Sequence, residues 1–161
     1  MALDVASLPI TVGVGAFLIR EGGLLLVRRT YGPAKGLWTI PSGYVEPRES
    51  VAQAVEREVR EETAVVGRAD ALVGVRNRVT ATANDTFLIF SMAYESGEPR
   101  ADGGEVSEAA FLPIEEVSRS EDSAPFTRAI VPKLLQARGM RLEAYAPSRD
   151  ASVTLAYLLY L

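Results

Sequence analysis

At 161 residues the chain is long enough to bury one sizeable core without covalent staples, and a single domain over 1–161 is expected. It has no cysteine and no histidine, which excludes disulfides, thiolate nucleophiles, Cys/His metal sites and imidazole acid–base chemistry and leaves carboxylates, lysine, tyrosine, hydroxyls or a hard cation held by oxygen. A formal net charge of −4 argues against a positive field fit for a nucleic-acid polymer and favours small substrates.

The opening MALDVASLPITVGV lacks a basic n-region followed by an apolar core, and no apolar run approaches membrane-spanning length, so a cytoplasmic protein with no membrane partner is expected. Residues 10–19 (ITVGVGAFLI) are rich in β-branched side chains, and Glu21-Gly22-Gly23 supplies turn chemistry before LLLVRR resumes an extended pattern. This predicts a hairpin. Residues 31–37 read as a loop, and residues 38–40 as a short strand stopping at Pro41-Ser42-Gly43. From 49 to about 63 the period becomes helical, with Ala52, Val55 and Val59 lining one face. Extended segments follow at about 71–79, 86–94 and 108–112. A second helix is predicted over 126–137, with Ile130, Leu134 and Leu135 inward, Gly139 as its stop, and Pro132 kinking or shortening it. The fold class is therefore α/β or α+β, a mixed sheet flanked by helices, with strand order left open.

The chemistry concentrates in GYVEPRESVAQAVEREVREETAV, which begins at Gly43. Glu58, Glu61 and Glu62 lie three and four positions apart, on one helical face beside the apolar stripe. Like charges so placed repel, and a bound divalent cation would turn that penalty into affinity. An acidic stripe alone is more often a solvated face. The frame around it is more specific: Gly43, five residues, Glu49, seven residues, Arg57-Glu58, the aliphatic Val59, then Glu61-Glu62 and the aliphatic Val65.

This frame resembles the Nudix box, with Ala64 standing where the last glycine is expected. Ser42 and Arg48 also occupy positions where many members carry glycine. Alanine at 64 costs on the order of 1 kcal/mol if the left-handed geometry after the helix is kept. LLLVRR, GLWTIPSG and EVSEAAFLPIEEV resemble the family's flanking strands, so that residues 10–138 fit the usual domain and 139–161 form a C-terminal extension. The resemblance implies a mixed β-sheet sandwiched between α-helices and magnesium-dependent hydrolysis of a diphosphate bond in a small nucleotide-like substrate, with manganese as a substitute metal.

By the same resemblance Glu58, Glu61 and Glu62 are metal-ligand positions, joined by the carbonyl of Gly43, while Arg57 and Glu49 support them. The cation would neutralise the diphosphate, orient its phosphorus and acidify the attacking water. A general base is sought among the box glutamates or in the loop GGEVSE, at Glu105 or Glu108; the glycines before Glu105 favour it by giving the backbone freedom to swing. Of Arg28 and Arg29, adjacent on a strand, at most one is expected to reach substrate phosphate. Trp38 and Tyr31 are candidates for stacking on a base, with packing the commoner fate of such aromatics.

No proline stands near Val79 or Thr80 and no SQPWPFP-like run is present, which weakens two subfamily assignments. A non-catalytic nucleotide-binding module of the same family is the alternative, although all box glutamates are retained. The isomerase branch uses a cysteine that this chain lacks. The uncharged tail VTLAYLLYL (153–161) is too apolar to dangle in water. It is expected either to pack on its own domain as a last element or to bury against a second subunit in a homodimer.

Overall fold

The β-branched opening run is strand β1 (Ile10–Arg20), which turns through Glu21 and Gly22 into β2 (Gly23–Arg29). Both turn residues have positive φ, 51° and 80°, the signature of a type I′ turn, whose twist suits an antiparallel pair. The structure is a computed structural model that describes residues 9–144, 156 and 158–161. β3 (Trp38–Thr39) ends two residues before Pro41, and β4 (Ser42–Tyr44) starts immediately beyond that proline, a strand not anticipated because Pro-Ser-Gly reads as a stop. Helix α1 (Val51–Thr63) follows. Then come β5 (Val66–Val79), β6 (Asn84–Ser96) and β7 (Val106–Pro113). The short helix α2 (Ile114–Val117) corrects the reading of PIEEV as strand, and α3 is Pro125–Leu134. Strands β8 (Met140–Ala144) and β9 (Leu158–Tyr160) complete the order.

Helix α1 starts two residues later than its period suggested because Ser50 caps it. The Gln53 amide N–H donates to Ser50 Oγ at 3.2 Å, and the Ser50 amide N–H donates to Gln53 Oε1 at 2.8 Å, satisfying two donors that a helix start otherwise leaves orphaned. Its C-cap is Ala64 at φ 59°, with the amide donating to the Arg60 carbonyl, so the left-handed geometry usual for glycine is kept by alanine. Helix α3 ends three residues early. Pro132 lies within it, and Leu135, expected inside, is 52% exposed, while Val131 and Leu134 are buried.

β1 is the organising strand. It runs parallel to β6 over residues 10–18, pairs antiparallel with β4 through Gly13, Val14 and Gly15, and meets β2 at its far end. β5 adds antiparallel to β6 and β8 to β5, with β9 beyond, while β2 carries β3 on one side and β7 on the other. Alternation along β1 and β6 sends Val14, Ala16, Leu18, Phe90 and Met92 to one face, where Ala52, Val55 and Val59 of α1 pack. Phe17 and Ile89 go to the other face, against Val117, Val131 and Leu134 of α2 and α3. The mixed sheet is thus sandwiched between helices, in an α+β class.

The C-terminal segment joins the same sheet. Tyr160 meets Phe90 edge-on at 5.5 Å between ring centroids, and Leu142 and Leu158 pack on the α1-side core. The stretch 153–155 and residue 157 of the apolar tail lie outside the described residues. No helix among the described residues is long and apolar enough to cross a membrane.

Candidate active site

Arg57 organises the acidic face of α1. Its Nε donates to Glu49 Oε2 at 3.0 Å and its Nη2 to Glu49 Oε1 at 2.8 Å and to the Tyr44 carbonyl at 3.0 Å. Nη1 donates to Glu58 Oε1 at 2.8 Å and to Glu61 Oε2 at 3.1 Å. Every N–H of the guanidinium is used, an arrangement that a rigid planar fork makes possible. Glu49 in turn accepts the Glu46 amide at 2.7 Å. The Arg57 guanidinium holds the Glu49 carboxyl below the usual carboxylate range, while Arg57 itself is raised, chiefly by Glu49.

A second arginine holds the third box carboxylate. Arg29 is buried and forms an ion pair with Glu62 through Nη1, with Nη2 donating to Glu62 Oε2 at 3.3 Å and to the Ser42 carbonyl and Oγ at 2.9 and 2.8 Å. The Ser42 amide also donates to Glu62 Oε2 at 3.0 Å. Burial pushes the Glu62 carboxyl up to about 7, and the Arg29 charge and the Arg29 and Ser42 donors oppose that rise. Burial likewise raises Glu58, with Arg57 opposing and the charges of Glu61 and Glu105 adding to it.

Apart from Glu49, these groups line one cleft of about 620 Å³ together with Tyr31, Gly43, Tyr44, Arg76, Phe87 and Glu105, a volume within the range of small-ligand pockets. Glu105 reaches it from the loop before β7. Its backbone is less free than two preceding glycines suggest: the Thr30 amide donates to the Glu105 carbonyl at 3.0 Å, and Thr30 Oγ1 to the carbonyls of Gly104 and Glu105 at 2.8 and 2.9 Å. Asp102 Oδ1 accepts the amides of Gly104 and Val106, closing the turn. The Tyr31 hydroxyl donates to Glu105 Oε2 at 3.1 Å, a contact that burial and the carboxylate together accompany with a raised phenol. Tyr31 therefore lies in the cleft as a partner of Glu105.

Three expected residues fall outside the cleft. Strand parity separates the arginine pair: Arg29 faces the box, whereas Arg28 faces away, lying 4.9 Å from the Trp38 ring and bridging Glu108 at 3.0 Å. Arg28 is the register partner of both Trp38 and Glu108. Trp38 is 8% exposed, in the core against α3, so its indole is packing and not a base platform. Glu108 is an exposed strand residue paired to Arg28. Sequence reading missed Ser42, Arg76, Asp85 and Phe87, whose approach to the box depends on pairings of β1, β4, β5 and β6 that leave no local signal.

A hard divalent cation suits the donor set, since only carboxylate and carbonyl oxygens are offered. Gly43 is a cradle for the Glu58 carboxyl: a methyl there would overlap that group, leaving its farther oxygen only 2.5 Å away. Among the described residues no three acidic side chains yet converge on one point, because Arg57 draws Glu58 and Glu61 one way and Arg29 draws Glu62 the other. Glu61 is the adaptable member, its side chain 57% exposed against 13% for Glu58 and 3% for Glu62.

Comparison with known proteins agrees with the geometry. An ADP-ribose pyrophosphatase of Methanocaldococcus jannaschii is 30% identical over 105 residues, covering 64% of this chain and 62% of that protein. The NAD-capped RNA hydrolase NudC of Vibrio cholerae is 30% identical over 117 residues, 73% of this chain and 43% of its own length. This chain thus spans less than two thirds of either relative. Among solved structures, a MutT NUDIX hydrolase from Burkholderia pseudomallei superposes with a TM-score of 0.67 at 26% identity, covering 77% of this chain and 97% of that one. A family model described as the NUDIX domain matches residues 9–134, and with the box, the arginine clamps and the sandwich in place the chain belongs to the Nudix family.

Proposed function

We propose that the cleft hydrolyses a diphosphate bond in a small nucleotide derivative, either a nucleoside diphosphate joined to another moiety or a nucleoside triphosphate, with magnesium or manganese. The observation that carries this reading is that Glu58, Glu61, Glu62 and Glu105 line one cleft, with Arg57 satisfying every N–H on the box carboxylates and the Tyr44 carbonyl. Glu58, Glu61, Glu62 and the Gly43 carbonyl would hold the cation, which supplies charge neutralisation of the diphosphate and acidification of water. Glu49 and Arg57 pre-organise those carboxylates. Arg29 fixes Glu62, so its part is positioning and not direct phosphate contact.

Glu105 is the proposed general base. A carboxylate coordinated to a cation is a poorer proton acceptor, and Glu105 stands outside the box with Oε2 held by Tyr31 and Oε1 left for water. Water oxygen adds to phosphorus, the bridging P–O bond breaks, and the water proton passes to Glu105 and then to solvent. A panel of ADP-ribose, a dinucleotide cofactor and the common nucleoside triphosphates, assayed for nucleoside monophosphate or phosphate release with magnesium and with excess chelator, tests the reading. Turnover of at least one class that vanishes in chelator is expected. Binding without release from any of them would instead support a nucleotide-binding module, and full turnover in chelator would remove the cation from the chemistry.

A further inference from the structure

The end of the cleft away from the carboxylates is built differently. β-Register places Tyr44, Gly13, Phe87 and Arg76 in one row across β4, β1, β6 and β5, with side chains on a common face. Gly13 contributes no side chain at the centre of that row, and a methyl there would touch the Phe87 ring at 3.0 Å. The row is therefore a shallow aromatic trough floored by the Phe87 ring, which lies over the backbone of Gly13 and Gly15. Tyr44 is 64% exposed and lines the cleft, a large aromatic surface that the proposed chemistry does not use.

At the far side of the trough stands a charged pair. Arg76 Nη2 donates to Asp85 Oδ2, Thr11 Oγ1 donates to Asp85 Oδ1 at 2.6 Å, and the guanidinium lies 4.9 Å from the Phe87 ring centroid and 5.2 Å from that of Phe126. The two charges offset each other, so the pair offers little net attraction to a phosphate. It does offer donors and acceptors side by side. Nη1 of Arg76 has no protein partner among the described residues, and each carboxylate oxygen retains a second lone-pair direction. An arginine edge reads paired acceptors on a ring and a carboxylate reads ring N–H groups, while exposed aromatic faces take a base by stacking.

We propose that Tyr44, Phe87, Arg76 and Asp85 form the subsite for the nucleobase of the substrate: a neutral, planar nitrogen heterocycle stacked along the trough, with its hydrogen-bonding edge on the Arg76–Asp85 pair. This rests on the cleft being a nucleotide site and assigns the end that selects among nucleotides. The acidic end then takes the diphosphate, and the strand row takes the base.

The test measures binding of AMP, GMP, CMP and UMP by titration calorimetry, which is independent of turnover, alongside kcat/KM for the matching triphosphates. Wild-type protein is expected to prefer one monophosphate over the weakest by at least tenfold. Asp85→Asn, which can keep the Arg76 bond through its one remaining oxygen and reverse the Thr11 bond so that the amide donates to Oγ1, replaces an acceptor by a donor and should reorder or flatten that preference to within about threefold. Tyr44→Ala should weaken all four together by about tenfold, as loss of a stacking face predicts, and both variants should keep a cooperative thermal transition. An unchanged preference order in Asp85→Asn, or unchanged affinity in Tyr44→Ala, overturns the subsite, as does wild-type protein that binds none of the four. If the monophosphates bind selectively and no triphosphate is cleaved, the subsite stands and the hydrolytic reading fails.

Discussion

Gly43→Ala isolates the cradle from the rest of the box. Gly43 lies in strand β4 without a positive φ, so alanine introduces no backbone strain, and the three atoms nearest its methyl are those of the Glu58 carboxyl group. Even the farther Glu58 oxygen would lie only 2.5 Å from that methyl, and the nearer one closer still, whereas ordinary contact begins near 3.4 Å, so the carboxyl has to retreat by more than 1 Å. Retreat breaks its 2.8 Å bond from Arg57 Nη1. A misplacement of about 1 Å in a catalytic group costs roughly 10²-fold in rate, whereas the fold loses at most one charge-assisted hydrogen bond, about 1.5–3 kcal/mol. The expected result is a kcat reduced about a hundredfold and a higher magnesium concentration for half-maximal rate, in protein that unfolds cooperatively. Steady-state kinetics over a magnesium titration, with a urea melt on the same preparation, measures both. A kcat within threefold of wild type would show that the position of Glu58 against Gly43 has no part in the chemistry.

Ala64→Gly should raise stability by about 1 kcal/mol, a Tm increase of about 2–4 °C at this size, because the cap already sits at φ 59°; an unchanged or lower Tm in calorimetry contradicts that. Arg57→Lys, with three donors in place of five, should lower kcat by ten- to a hundredfold with little change in KM, since the contacts it loses are to carboxylates and not to substrate; a change confined to KM would place Arg57 on the substrate instead. Glu62 gives a pH signature in the presence of chelator. Its folded pKa, about 7, lies above its ordinary 4.5, so the folded state binds more protons between those values and stability falls as pH rises through the window. Urea melts at pH 5 and pH 8 should show this loss in wild type and a smaller one in Glu62→Gln, and equal slopes in the two proteins would refute it.

Much of the fold was legible because its signals are local. The turn at Glu21-Gly22 and the 3.6-residue period of Ala52, Val55 and Val59 each act within a few residues, and the box is a spacing along a single loop and helix. What stayed hidden depends on pairing across the chain. β4 follows Pro41 and exists because β1 offers it partners at Gly13, Val14 and Gly15. Nothing in LLLVRR tells which of Arg28 and Arg29 faces the box; that is decided when β2 takes β3 and β7 as neighbours and places Arg28 against Trp38 and Glu108. The freedom expected of the Asp102–Glu105 loop is removed by Thr30, 75 residues away in sequence.

The three box carboxylates look alike in the sequence, yet their spacing already divides them. Glu62 stands seven residues after Val55 and three after Val59, which places it on the apolar stripe, and a carboxylate there needs a cationic partner or a proton. Arg29 and Ser42 meet that demand, so Glu62 is held in place by the same burial that raises its pKa. Glu58, one turn earlier, is at the margin, wedged between Gly43 and Arg57. Glu61 points outward and, among the described residues, its carboxylate accepts a single hydrogen bond, from Arg57 at 3.1 Å. Two carboxylates are thus positioned by packing and the third is left free to adjust, a division of labour that would suit the proposed cation site.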